Sequence, residues 1–158
     1  KKYPGIVRDL SGKPVAAILA TYDQLLITAD YLNQTEERTI LFMDSSGNHL
    51  KRTSKKLLTT SLCRAPLVPN SSSYSCIDMI SDSNKTIDFI VFLQKFYSYM
   101  EDIKNQRVKY PDICVTDMAF CQLNSLSDFF NKMRLDEYLE QCIDILREEQ
   151  ETTLVILW

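Results

Sequence analysis

An α/β fold with a mixed sheet is what this chain predicts, and three observations carry it. Two short runs, 39–43 and 113–116, are apolar almost throughout; stretches at 15–32, 87–103 and 135–149 repeat their apolar residues at the helical period; and polar turn chemistry cuts the chain between 44 and 80 into short segments. Runs without alternation suit strands buried on both faces. The short segments that follow the first such run predict an antiparallel meander, and the remainder predicts helices alternating with strands.

Taken in order, Ile18, Tyr22, Leu25, Ala29 and Leu32, with a second row at Leu19 and Leu26, predict an amphipathic helix over 15–32. The polar run 35–38 ends it, and 39–43 is the first buried strand. Ser45, Ser46, Gly47 and Asn48 predict a turn, followed by a strand over 50–55 and another over 57–68. Beyond the polar loop 69–73, residues 74–80 predict a further strand. Ser81, Asp82, Ser83 and Asn84 offer N-caps for a deeply packed helix over 87–103. Pro111 marks a boundary, 113–116 is the second buried strand, and 118–130 a helix. Leu135, Tyr138, Leu139, Cys142, Ile145 and Leu146 predict the last helix, and 153–157 a closing strand.

Composition narrows the function classes. The 158 residues are 45% hydrophobic and 25% charged, with three glycines and five prolines, which describes one compact folding unit. Eighteen Lys and Arg against 21 Asp and Glu leave a charge of −3, so a broad nucleic-acid-gripping face is not expected and any DNA contact must be local. Five cysteines, an odd number without CxxC spacing, predict reduced thiols in an intracellular protein. No signal-peptide pattern and no bilayer-length apolar run is present, so no membrane partner is expected. Beginning at Lys1 without methionine and stopping in the apolar run Leu154 to Trp158, the sequence predicts a piece of a longer chain.

Chemistry concentrates in two carboxylates. Asp44 follows the first buried strand and Asp117 the second, and a carboxylate at such a place is costly unless paired or bound to metal. Hard cations such as Mg²⁺ or Mn²⁺ take carboxylate oxygens and keep several waters, so two aspartates rather than histidines are the expected donors. The plainer reading makes the same residues a turn and a helix cap, where aspartate is common. Lys51, Arg52, Lys55 and Lys56 form the one basic cluster, a candidate for a DNA backbone or a nuclear import signal, or else a solvated hairpin. His49 is the single histidine, which leaves little for a His-based zinc site or a Ser-His-Asp triad. Phe89, Phe92, Phe96, Tyr97, Tyr99 and Tyr110 crowd the long helix and its exit, mainly as core.

The element order, three antiparallel strands, a helix, then strands alternating with helices, resembles the ribonuclease H-like fold. The block Leu41-Phe42-Met43-Asp44-Ser45-Ser46-Gly47 resembles the apolar-Asp-Ala-Thr-Gly block of Mutator-like transposases, and Val115-Thr116-Asp117 resembles their second-acid block. Leu123-Asn124-Ser125, Leu135 to Cys142 and the upstream Tyr3 to Leu10 extend the likeness across most of the chain. The resemblance implies a segment 1–37 with an amphipathic helix packed on a ribonuclease H-like domain 38–158, incomplete before its third acid. It further implies two divalent ions, Asp44 bridging both and Asp117 holding one, in DNA cleavage and strand transfer in the nucleus. Two departures stand out. Ser45-Ser46 replaces Ala-Thr, and no glutamate here takes the third catalytic place, since Glu137, Glu140, Glu148 and Glu149 read as a solvated helix face. This fragment is therefore expected to be inactive. The rival expectation is a domesticated, non-catalytic descendant that binds a protein partner, with an oligomer possible in either case.

Overall fold

The computed structural model describes residues 6–34, 37–47, 57–64, 72–117, 119–146 and 156–157. In chain order these form β1 (Val7–Gly12), β2 (Val15–Leu19), α1 (Tyr22–Asn33), β3 (Ile40–Gly47), β4 (Leu58–Arg64), β5 (Tyr74–Ser81), α2 (Thr86–Lys104), β6 (Ile113–Thr116), α3 (Phe120–Leu126), α4 (Leu135–Leu146) and β7 (Ile156–Leu157). One mixed open sheet holds all seven strands in the order β1-β2-β5-β4-β3-β6-β7. β3, β4 and β5 pair antiparallel as the expected meander, whereas β6 lies parallel to β3 and β7 parallel to β6. The chain is thus α/β with a mixed sheet, as its sequence predicts.

The apolar pattern explains the core. On β3, Leu41 and Met43 are fully buried while the alternate Ile40 and Phe42 are half-buried, so one face of the sheet is sealed more completely than the other. Leu25, Ala29 and Leu32 of α1 and Phe89, Phe92, Leu93 and Phe96 of α2 join Leu41, Met43, Leu62, Ile77 and Cys114 in one cluster. Tyr97, Tyr110, Phe129 and Phe130 stack mostly edge to face beside it, with Tyr97 and Tyr110 centroids 5.1 Å apart. The aromatic helix is therefore core, as expected.

Several boundaries differ from those the sequence predicts. The helix expected over 15–32 begins only at Tyr22, and 15–19 is β2, which pairs with β1 on one side and β5 on the other. The reason is local: Thr21 Oγ1 accepts from the Gln24 amide at 3.1 Å, and the Gln24 side chain accepts from the Thr21 amide at 2.7 Å. This capping box fixes the helix start. The turn expected at 45–48 is also displaced, because Ser45, Ser46 and Gly47 continue the ladder opposite Thr60, Thr59 and Leu58. At α2 the cap is Lys85, while Ser83 donates to Asp88 in the first turn. The helix expected over 118–130 starts at Phe120 and ends in a π-helical turn, Ser127–Asn131, closed by Lys132 at a left-handed φ of 58°. The expected strand 50–55, the outer parts of 57–68 and most of 153–157 lie outside the described residues.

Candidate functional site

The parallel pair β3 and β6 ends at Met43 opposite Thr116. Asp44 and Asp117 are the next residue on each, so their backbones leave the ladder side by side, about 5 Å apart at the usual strand spacing. From here the two connections diverge, β3 turning to β4 on one side and β6 running through α3 and α4 to β7 on the other. Carboxyl ends of parallel strands at such a divergence leave a crevice that open α/β sheets commonly use for ligands.

Both aspartates are solvent-exposed. Asp44 is not the end of its strand, as the apolar run suggests; it sits inside β3, on the face of Phe42 and Ser46, paired across with Ser61. Asp117 does lie at a strand-to-helix junction, its Oδ1 accepting from the Ala119 amide at 3.1 Å. That is an Asx-type turn preceding the cap, since Ala119 itself is the N-cap of α3. One Asp117 oxygen is occupied by this bond and the Asp44 carboxylate faces solvent. Two exposed carboxylates on neighbouring strands fit a hard divalent ion that retains part of its water shell.

Behind them runs a polar chain, buried at its centre, that no sequence motif announces. The Thr116 hydroxyl donates to Gln122 Oε1 at 2.5 Å, the Gln122 amide nitrogen donates to Ser45 Oγ at 2.5 Å, and Ser45 shares a hydrogen with Thr60 at 2.7 Å. Gln122 and Thr60 are each only 1% exposed. Four side chains from β6, α3, β3 and β4 thus satisfy one another, Gln122 and Thr60 buried and Ser45 and Thr116 half-buried, as buried polar groups must. At the opposite end of the strand pair, Asp112 Oδ2 accepts from both the amide and the hydroxyl of buried Thr39, at 2.7 and 3.0 Å. The signal available in the sequence was a polar residue on a helix's apolar stripe, Gln122 and Ser125 in register with Leu126 and Phe129.

On the more open face, Asp78 lies beyond Ser61 in the same cross-strand row as Asp44 and accepts from Ser61 Oγ at 2.6 Å. Burial, followed by the charges of Asp78 and Asp44, pushes the Cys63 thiol above its ordinary value. Burial likewise pushes Cys76 and Cys114 up to about 12 and lifts Tyr97 well above the phenol range. All five cysteines are free thiols. Glu137 and Glu140 are exposed on α4, as expected of a solvated face, and the basic cluster Lys51, Arg52, Lys55 and Lys56 lies outside the described residues. Among the described residues, no group of three or more His, Cys, Asp or Glu side chains gathers as a metal cage, and no helix is long and apolar enough to cross a membrane. Comparison with family models, curated proteins and solved structures returned no match.

Proposed function

We propose that this chain is a transposase-derived, ribonuclease H-like domain whose intact parent cleaves DNA and transfers its ends with two divalent ions. The observation that carries the reading is the adjacency of Asp44 and Asp117, one step beyond the last pair of the parallel strands β3 and β6. The strand order lends support. Counted from β3 as the first, the segment β5-β4-β3-β6-β7 runs 3-2-1-4-5 with only the second strand antiparallel to its neighbours, which is the arrangement a ribonuclease H-like sheet requires. In this reading β1 and β2 extend the sheet beyond β5. Mg²⁺ or Mn²⁺ would be held by Asp44 and Asp117 with water filling the other positions, and it would polarise phosphate oxygens and activate the attacking water or 3′-hydroxyl. A third carboxylate is not assigned within the described residues, so the proposed activity belongs to the parent and not to this piece.

Calorimetric titration of Mn²⁺ into the wild type, Asp44→Asn and Asp117→Asn tests the pair directly. The expected outcome is binding in the wild type that each substitution abolishes. Binding indifferent to both substitutions, or none at millimolar metal, would remove the aspartate pair as a cation site from the reading and leave the domesticated, partner-binding descendant as the better account.

A further inference from the structure

The ladder that ties β3 to β6 stops at Met43 and Thr116, immediately before the two aspartates. Beyond that pair, β3 and the end of β6 are linked by the side chain of one residue of α3. Gln122 accepts from the hydroxyl of Thr116, the residue before Asp117, and donates to the hydroxyl of Ser45, the residue after Asp44. We propose that Gln122 is a positioning residue for the aspartate pair, holding the end of β6 against β3 at the spacing at which both carboxylates reach one ion. This rests on the reading of Asp44 and Asp117 as ion ligands.

The chemistry of the amide suits the task. Its oxygen and nitrogen are different ends, so one side chain bridges a donor on β6 and an acceptor on β3 with a defined polarity. Ser45 also shares a hydrogen bond with the hydroxyl of Thr60 on β4, which fixes the strand from its other side. Gln122 and Thr60 are each 1% exposed while Ser45 and Thr116 are half-buried, so the amide at the centre of the clip is shielded from competing solvent. Two like charges on adjacent strands repel one another; β3 stays paired with β4 as far as Gly47, so without the clip it is the end of β6 that is free to splay and carry Asp117 away in the metal-free protein. A residue outside the ligand set that fixes ligand geometry commonly changes metal affinity by about ten- to a hundredfold.

The test is Mn²⁺ affinity, by calorimetry well below the unfolding temperature, of the whole chain carrying Gln122→Met, Thr116→Val, both together, or Thr116→Ser. Gln122→Met and Thr116→Val should each weaken binding about tenfold or more, the double variant should be no weaker than the worse single because both cut the same clip, and Thr116→Ser should match the wild type. A merely structural role would lower the unfolding temperature and leave the affinity of the folded protein unchanged. Wild-type affinity in Gln122→Met and Thr116→Val, alongside loss in Asp44→Asn, would overturn the clip and leave the cation site standing. Binding that does not depend on Asp44 and Asp117 would overturn the site itself, and the clip with it. If circular dichroism shows Gln122→Met unfolded, Thr116→Val decides the matter alone, since it cuts the same clip from a half-buried strand position.

Discussion

Cys76 and Cys114 show how single residues of this core answer to pH. Both thiols hold their proton up to about pH 12 because they are buried, whereas the unfolded chain releases it near pH 9.0. The unfolded state therefore gains from deprotonation first, and the stability contributed by the protonated thiols is complete below pH 9 and is lost as pH rises toward 12. The unfolding temperature should fall across that window, and Cys76→Ala with Cys114→Ala should flatten the fall when followed by thermal melts at several pH values; an unchanged slope would place the alkaline sensitivity elsewhere. Residue identity makes this much legible in advance, since cysteines within apolar runs read as small hydrophobes. It also makes Asp44 and Asp117 legible as carboxylates after buried strands. Ser45 is legible only as a departure from alanine in the resembling block, and its reason lies in the fold: its hydroxyl sits between Gln122 and Thr60. Nothing in a linear sequence brings residues 45, 60, 116 and 122 together.

Elements are specified partly by local chemistry and partly by what they pack against. The Thr21 and Gln24 capping box sets the start of α1, and Thr21→Ala should cost about 1 kcal/mol in denaturant melts, with Thr21→Ser close to neutral. The 15–32 stretch misleads because Ile18 and Leu19 fit a helical period as well as a strand; the cap inside it is a better guide than the period. By contrast 113–116 has the same bounds in sequence and structure, since an apolar run closed by Pro111 on one side and Asp117 on the other leaves little choice. The start of the β3 and β6 pair is locked by Asp112, whose carboxylate holds the amide and hydroxyl of a Thr39 that is 2% exposed. Thr39→Val removes one partner of an exposed carboxylate that water can still reach, and a loss of about 0.5–1.5 kcal/mol is expected in denaturant melts. A loss below about 0.5 kcal/mol, under the net worth of an ordinary hydrogen bond, would mean that water replaces the hydroxyl. The π-helical turn Ser127–Asn131 has no such local signature, and its residues Phe129 and Phe130 gain their place from Tyr97 and Tyr110 across the molecule.

Strand order belongs to the whole molecule, and it decides both where the aspartates meet and which parts of the sheet open first. Strands 40–47, 58–64, 74–81 and 113–116 are legible from apolar runs and turns, but not that β6 inserts beside β3, nor that β1 and β2 lengthen the sheet beyond β5, because order follows from long-range packing. β3 and β4 are hydrogen-bonded on both sides and hold the fully buried Leu41, Met43 and Leu62. β1 has one neighbour and exposes Val7 at 54% and Leu10 at 72%, with Asp9 tied to Lys95 of α2 by a part-exposed ion pair that adds little. Opening of β1 thus costs a few ladder bonds and scant apolar burial, while opening of β3 exposes the core. Native-state hydrogen exchange should rank the amides accordingly: Leu41, Met43 and Leu62 should exchange only with global unfolding, and Asp9 and Ser11 through a local opening several kcal/mol lower. If β1 proved as protected as β3, it would have to be an interior strand and the sheet order described above would fail. If β6 amides exchanged as fast as those of β1, β6 would not be the partner of β3, and the meeting of Asp44 with Asp117 would fail along with it.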